Sequence, residues 1–329
     1  MIRNAKIISS GMFAPANVVT NAWFNSLLGE DVDTWLRENL TIKERRWCNE
    51  NESTADLCVE AARKILSSAK AKPEDIDLLI IATDTPEYIS PSTASVVQHR
   101  IGAIKAGTFD VNTACAGFVT ALDIASKYIR SDKKYNKVLV IGAYAMSKYL
   151  NLLDKKTVTL FADGAAGVLL SATDEDCGFL TSSLYTEGQY CDWMGIYAGG
   201  THQPVNEKVL ENKDHLLKLV KKFPKEINPA TWTRMIKESC SELNIKPTDI
   251  NHYFITQINI NSIWETLDNL GVERSKGHTI MENYGYTGSA CIPMAFDDAN
   301  KKGLIKKDDL VLFIGSGGGL AFALSIFKM

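Results

Sequence analysis

Cys115 is the residue of this chain whose type and surroundings are best suited to covalent chemistry. It stands in residues 110–118 (DVNTACAGF), between an extended apolar stretch and a long helical pattern. A thiol at a helix N-terminus feels the positive end of the helix dipole, which favours the nucleophilic thiolate. Small residues on both sides would let a substrate carbonyl approach the sulfur and the adjacent backbone N–H. The alternative is a buried cysteine that packs as a small apolar side chain, as expected of Cys58 and Cys240 on amphipathic helices.

An internal duplication indicates which elements position this cysteine. Residues 72–81 (KPEDIDLLII) resemble residues 246–255 (KPTDINHYFI), 174 positions later. At the same offset, residues 113–115 (TAC) lie opposite residues 287–289 (TGS). Several matches in the same order at one offset indicate a repeat rather than chance. We therefore predict two similar α/β halves that pack as pseudo-twins.

The order of elements in each copy predicts how its strands lie. Helical patterns and apolar strands alternate, with helices at residues 53–68, 118–129, 232–243 and 293–300 and strands at residues 78–81, 137–142, 252–255 and 310–315. This order is typical of crossover connections in a buried, largely parallel sheet. We predict that the halves are residues 1–172 and 173–329, with residues 185–212 as a loop inserted between them.

Polar residues follow one apolar strand in each copy. Thr83, Asp84 and Thr85 come after the first strand, and residues 256–259 (TQIN) come after its counterpart. Ligands of open α/β sheets collect at the carboxyl ends of strands. We therefore expect both groups to face the ligand site.

The composition excludes several classes of protein. The chain has 329 residues, 45% of them hydrophobic and 23% charged, with a net charge of −3. It therefore has no global basic field for nucleic acid, and no apolar run reaches the roughly 18 residues of a membrane span. Seven scattered cysteines without a CxxC pair fit a reducing compartment and suggest no metal site. Because the N-terminus has no signal-peptide pattern, we predict a cytoplasmic protein.

From end to end the chain resembles β-ketoacyl-acyl-carrier-protein synthase III, a family of the thiolase-like superfamily. The motifs that carry the resemblance occur in family order at residues 43–46 (KERR), 85–87 (TPE), 91–94 (PSTA), 110–118 (DVNTACAGF), 161–167 (FADGAAG), 284–285 (YG) and 315–319 (GSGGG). The resemblance implies a thiolase-like α/β fold, in which two duplicated halves stack as layers α-β-α-β-α. The first half would carry Cys115, and the second would carry Thr256, Tyr286 and the glycine-rich oxyanion loop.

The resemblance also implies catalytic roles. In this family an acyl thioester acylates the cysteine, and a histidine and an asparagine then help to decarboxylate malonyl-carrier protein. Cys115 matches the nucleophile, and its own N–H and that of Gly318 match the oxyanion hole. Thr256 stands at the histidine position and Tyr286 at the asparagine position. Threonine cannot carry positive charge and tyrosine is bulky where a compact amide is expected, so we expect self-acylation without ordinary malonyl condensation.

Five further positions are implied to bind substrate. Trp35 matches a tryptophan that flanks the coenzyme A adenine, although Asn39 replaces the arginine four residues later. Gln257 and Asn259 keep the family residues, whereas Asn261 replaces an arginine near the carrier-protein docking face.

The fifth position is Ser90, which replaces a residue, often phenylalanine, that closes the acyl pocket across the dimer. A more open or longer pocket follows from that replacement. No histidine falls on a matching position. His202 in the inserted loop is the one histidine kept as a stand-in base, and His252 is expected to pack in or beside its strand.

The implied substrate is an acyl thioester of coenzyme A or phosphopantetheine, with no bound cofactor. The implied partners are acyl-coenzyme A or acyl carrier protein, and a second subunit that is either identical or homologous. Three functions follow: an acyltransferase that passes the acyl group of Cys115 to another acceptor, a decarboxylating synthase of fatty-acid or polyketide synthesis with a rearranged base, or a degenerate partner subunit. Retention of Cys115 and the glycines favours the first over the third, and loss of the histidine and asparagine counts against the second.

Overall fold

Two β-sheets and the helices around them position the Cys115 turn. The structure is a computed structural model that describes residues 3–329. Its strands are β1 (Asn4–Phe13), β2 (Val18–Thr20), β3 (Glu44–Arg46), β4 (Leu78–Ala82), β5 (Gly107–Val111), β6 (Lys137–Ala145), β7 (Asp163–Thr173), β8 (Gly178–Thr186), β9 (Met194–Gly195), β10 (Lys218–Leu219), β11 (His252–Ile255), β12 (Leu310–Gly317) and β13 (Ala321–Lys328). Its α-helices are α1 (Asn21–Leu28), α2 (Asp33–Leu40), α3 (Thr54–Ala69), α4 (Thr93–Ile101), α5 (Gly117–Ser131), α6 (Lys155–Val158), α7 (Glu207–Glu211), α8 (Ile227–Glu242), α9 (Ile260–Leu270), α10 (Met281–Tyr284) and α11 (Cys291–Lys301).

Both main sheets are mixed. The first has the order β1-β7-β6-β4-β5 and the second the order β11-β12-β13-β8. Strand β4 runs parallel to β5 and β6, and β11 runs parallel to β12, whereas the other pairs are antiparallel. The prediction of a largely parallel sheet is therefore wrong. For β12 and β13 the reason is the tight turn that joins them, which allows only antiparallel pairing.

The helices form three layers around the sheets. Helices α5 and α11 lie between the two sheets, α3 and α4 cover the outer face of the first, and α8 and α9 cover the second. Helix α5 is buried on almost every side, as a helix between two sheets must be. Its Phe118 ring meets the Phe313 ring of the second sheet at 6.3 Å between centroids. The predicted α-β-α-β-α layering is confirmed.

The duplication recurs in three dimensions. Lys72 N–H donates to the Asp75 carboxylate and Lys246 N–H donates to the Asp249 carboxylate, so the same short turn precedes β4 and β11. Ser289, the counterpart of Cys115, is fully buried, and its hydroxyl contacts the carbonyls of Ala82 and Ala143 at 3.0 and 2.8 Å. The second copy of the turn therefore joins the halves, while the first copy holds the thiol.

The predicted boundary between residues 172 and 173 falls at the end of β7, and the second sheet begins with β8. The predicted inserted loop, residues 185–212, contains the last residues of β8 together with β9 and α7. Strand β9 pairs with β10 in a small antiparallel sheet of two strands, so part of this segment is ordered.

Across residues 3–329, none of the helices combines the length and the apolar character that crossing a bilayer requires.

Candidate active site

Cys115 lies in a tight turn between β5 and α5, where it is 3% exposed. Ala116 N–H donates to Thr113 O at 3.2 Å, and Gly117 N–H donates to Ala114 O at 2.9 Å. Ala114 has a φ of 46°, a left-handed conformation that is costly for a residue with a Cβ. The turn thus holds the thiol in place two residues before the first residue of α5.

The end of β12 lies directly against this turn. A Cβ placed on Gly317 would come within 2.5 Å of Thr113 O and 2.6 Å of Cys115 N. One placed on Gly315 would come within 2.9 Å of Ala116 Cα. Only glycine lets the two backbones approach so closely. Gly318 follows, and a Cβ placed on it would lie 4.0 Å from Ala114 Cβ, so the predicted oxyanion residue borders the cysteine turn.

Thr256 sits at the carboxyl end of β11 and is completely buried. Its hydroxyl accepts a hydrogen bond from Ser316 N–H at 2.9 Å and lies 3.5 Å from Ser316 O. The side chain therefore ties β11 to the last residues of β12. Its hydroxyl oxygen thus makes a structural hydrogen bond beside the Cys115 turn.

Tyr286 is also buried, and its phenol lies close enough to Cys115 to affect the pKa of the thiol. Its backbone pairs with Leu160 O and Ala162 N–H, both at 2.9 Å, and its ring packs 5.5 Å from that of Phe161. Hydrogen bonding from the phenol lowers the pKa of Cys115, although burial works in the opposite direction. Burial, followed by the nearby Cys115, raises the pKa of the Tyr286 hydroxyl well above its usual value.

The environment of Cys115 opposes ionisation. Burial, and after it the carboxylate of Asp84, raise the pKa of the thiol well above its usual value. The thiol is desolvated and has an acidic neighbour, and both favour its neutral form. The predicted effect of the helix N-terminus, which favours the thiolate, acts against them and stays a prediction.

Three residues near the thiol were given no catalytic or binding role from the sequence, although Asp84 was expected to face the ligand site. Asp84 follows β4, and burial raises the pKa of its carboxyl to about 6. Tyr144 is 2% exposed at the end of β6, and burial, followed by the charges of Asp84 and Cys115, raises the pKa of its hydroxyl well above its usual value. Cys291 begins α11, and burial raises the pKa of its thiol to about 12. For Asp84 a signal existed, since it stands at the carboxyl end of a buried strand.

Two predicted substrate-binding positions meet at one edge of the protein. Asn261 donates to Asn39 O at 3.0 Å, and Asn39 donates to Trp35 O at 3.0 Å. These contacts join α9 to α2, and the Trp35 side chain is 55% exposed beside them. Trp35 and Asn261, far apart in sequence, thus belong to one surface with no arginine at either matched position.

The remaining substrate-binding predictions fall in different environments. Gln257 is fully buried, donates to His278 O at 3.2 Å and accepts from Ile280 N–H at 2.8 Å. It therefore holds the segment 278–280 and does not present its amide to a substrate, because both ends of the amide are used. Asn259 caps α9 by accepting from Asn261 N–H at 3.0 Å. Ser90 is exposed in the loop before α4.

The histidines do not supply a base to the thiol. Within residues 3–329, none of them hydrogen-bonds Cys115. His202 is exposed on its loop. His252 lies at the start of β11, the end opposite to Thr256, with its ring nitrogens 2.9 Å from His278 Nε2 and 3.0 Å from Asp309 Oδ2. The prediction that His252 packs in its strand is confirmed.

Known families match the chain in two regions. The family model described as 3-oxoacyl-acyl-carrier-protein (ACP) synthase III matches residues 109–188. The model for the C-terminal part of the same family matches residues 240–329. The first region contains Cys115, and the second contains Thr256, Tyr286 and Gly318.

Individual proteins match over the whole length. The chain is 37% identical over 332 residues to Beta-ketoacyl-acyl-carrier-protein synthase III of Clostridium perfringens, with 100% of both chains covered. It is 35% identical over 332 residues to the protein of that name from Clostridioides difficile, covering 100% of this chain and 99% of the relative. The crystal structure of 3-oxoacyl-acyl-carrier-protein synthase III from Aquifex aeolicus is similar at a TM-score of 0.89 and 30% identity, covering 99% of this chain and 100% of that chain. The predicted thiolase-like α/β fold is thereby confirmed.

Proposed function

Because this chain belongs to the 3-oxoacyl-acyl-carrier-protein synthase III family, we propose that Cys115 takes an acyl group from a thioester and passes it to an acceptor without decarboxylating malonate. The chain is a transferase of the synthase III type, which transfers or condenses acyl groups in fatty-acid or polyketide biosynthesis. What we propose beyond this is the acyl-Cys115 intermediate and an acceptor other than decarboxylated malonate. The supporting observation is that the buried Cys115 lies near Thr256 and Tyr286.

The first half-reaction forms the acyl-enzyme. The Cys115 sulfur attacks the thioester carbonyl, and the thiol of coenzyme A or phosphopantetheine leaves with the proton that Cys115 gave up. The negative charge on the carbonyl oxygen would be met by the N–H groups of Cys115 and Gly318. The close approach of Gly317 to Cys115 N supports this, since it brings the glycine loop to the nucleophile.

The second half-reaction returns the enzyme to its starting state. An amine, hydroxyl, thiol or activated carbon attacks the acyl-Cys115 carbonyl, and the sulfur leaves and regains a proton. Such a sequence gives ping-pong kinetics. No bound cofactor is required, because the thioester itself is the activated substrate.

Decarboxylation of malonate needs hydrogen-bond donors at the oxygen of the developing enolate. Thr256 has a single hydroxyl hydrogen to donate, with Ser316 O 3.5 Å from its oxygen, and the Tyr286 phenol acts on the pKa of the thiol. Each missing donor of this kind costs about 3 kcal/mol of transition-state stabilisation. This argues for an acceptor other than the malonyl carbanion.

The second candidate is decarboxylative condensation, favoured by relatives of that name that cover the full chain. We propose acyl-coenzyme A or acyl carrier protein as the acyl donor in either case, and a dimer with an identical or homologous chain. A degenerate partner subunit would be indicated by a Cys115 that is never acylated.

Intact mass spectrometry tests the first step. The protein is incubated with a panel of acyl thioesters beside Cys115→Ala and Cys58→Ala, a control that removes a fully buried cysteine from α3. We expect one acyl mass on wild type and on Cys58→Ala, and none on Cys115→Ala. A wild-type protein that never gains an acyl mass would exclude both enzymatic functions.

A further inference from the structure

Asp84 lies two residues after the end of β4, beside the start of α5 that follows the Cys115 turn. Thr83 N–H donates to Val111 O at 3.1 Å, which continues the β4–β5 ladder by one residue. A Cβ on Gly117 would lie 3.1 Å from Ala82 Cβ, so the first residue of α5 rests on the end of β4. The charge of Asp84 consequently acts on the Cys115 thiol.

One oxygen of this carboxyl group has no partner. Asp84 Oδ1 is buried and accepts no hydrogen bond within residues 3–329. The residue as a whole is half-buried. Buried polar atoms in native proteins are almost always paired, and an exception calls for a ligand, a water or a functional role.

The backbone donors and threonine hydroxyls beside Asp84 bond one another instead of this oxygen. Thr85 N–H donates to Thr83 Oγ1 at 3.0 Å, the two hydroxyls lie 3.3 Å apart, and Ala145 N–H donates to Thr85 Oγ1 at 2.9 Å. The side chains that feel the charge of Asp84 are Cys115, Tyr144 and Tyr149, and none of them is a cation. Burial without compensation also raises the pKa of the carboxyl.

We propose that Asp84 is a specificity-determining residue, which selects an acyl group carrying a hydroxyl or ammonium group close to the thioester carbonyl. The inference rests on the proposed acylation of Cys115. An acyl chain ending in methyl groups would leave Oδ1 unpaired. A hydrogen-bond donor on the chain would satisfy it, and sites built around one polar contact discriminate strongly against analogues that lack the donor.

Acylation rates with three matched thioesters test this assignment. Butyryl-, 3-hydroxybutyryl- and 3-aminopropionyl-coenzyme A are compared on wild type, Asp84→Asn and Asp84→Val by intact mass, with Asp174→Asn as an exposed carboxylate control. We expect wild type and Asp174→Asn to acylate with at least one donor-bearing group about tenfold faster than with butyryl. Asp84→Val should prefer butyryl. Asp84→Asn should keep a preference for the hydroxyl group and lose one for the ammonium group.

Two outcomes would overturn the inference. One is a wild type that takes butyryl as fast as both donor-bearing groups. The other is an Asp84→Val variant, folded by circular dichroism, that keeps the wild-type preference. In either case the acyl-Cys115 function would stand. If no thioester acylates wild type, the proposed function and the assignment of Asp84 fail together.

Discussion

The hydroxyl of Thr256 accepts a hydrogen bond from Ser316 N–H at 2.9 Å, and this bond sets the end of β12 against the Cys115 turn. Thr256, which the sequence comparison predicts at the position of the family histidine, therefore has a structural role. It fixes the strand that leads to Gly317 and Gly318.

Removing this hydroxyl should destabilise the protein. In Thr256→Val the Ser316 N–H loses its partner in a buried site, which costs about 1–3 kcal/mol. The free energy of unfolding in urea measures the loss, and Thr256→Ser, which keeps the hydroxyl, should lie closer to wild type. Equal stability of Thr256→Val and wild type would contradict this role.

Tyr286→Phe should make Cys115 less reactive. The phenol lowers the pKa of the thiol, so its removal raises that pKa further and leaves less thiolate at any given pH. Alkylation of Cys115 by iodoacetamide, followed by peptide mass spectrometry from pH 6 to pH 10, measures the effect. The alkylation rate of wild type should still rise with pH near pH 10, and the variant should react more slowly at every pH. A plateau below pH 8 in wild type would show that burial does not control the thiol.

Asp84→Asn should stabilise the protein at neutral pH. The carboxyl has a pKa of about 6 in the folded protein against an ordinary value of 3.8. Between these values the unfolded chain has released a proton that the folded protein still holds, so wild type loses stability as pH rises from about 4 to about 6. The variant lacks this loss. The free energy of unfolding of the variant should exceed that of wild type by up to ~3 kcal/mol above pH 6, and the difference should vanish below pH 4. Urea unfolding at pH 4 and pH 7 measures it, and wild type equal to the variant at pH 7 would exclude an uncompensated carboxylate.

Gly317→Ala should abolish acylation of Cys115. The added Cβ would lie 2.5 Å from Thr113 O and 2.6 Å from Cys115 N, so the turn and the strand must move apart. Overpacking of this kind also costs about 1–3 kcal/mol of stability. Gly188→Ala is the matched control, because its Cβ meets no atom within 4 Å. If Gly317→Ala gained the acyl mass at the wild-type rate, acylation would not need the close approach of Gly317 to the Cys115 turn.

Much of the frame was predictable because local patterns determine it. The apolar runs that became β4 and β11, and the duplicated turns before them, are readable as strands bounded by proline and charged residues. The direction of β13 and β8 was not predictable from their patterns. It depends on which strands become neighbours, a tertiary property.

For the candidate site, the sequence predicts roles for residues but not how deeply they are buried. The small residues around Cys115 predict a nucleophile, and only the packing of α5 between two sheets shows how deeply the thiol is buried. Likewise, Gln257 matches a family residue in sequence, and only its two hydrogen bonds show that its amide is already used. Burial and hydrogen-bond partners arise from distant parts of the chain, so no window of sequence contains them.

The most direct test of the central claim follows carbon dioxide. Wild type is first acylated on Cys115 and then mixed with malonyl-carrier protein labelled at the free carboxyl group, and released label and remaining acyl mass are measured together. The account predicts that the acyl group stays on Cys115 and that no label above background is released. Release of one equivalent of labelled carbon dioxide as the acyl mass disappears would contradict it and identify a working condensing enzyme.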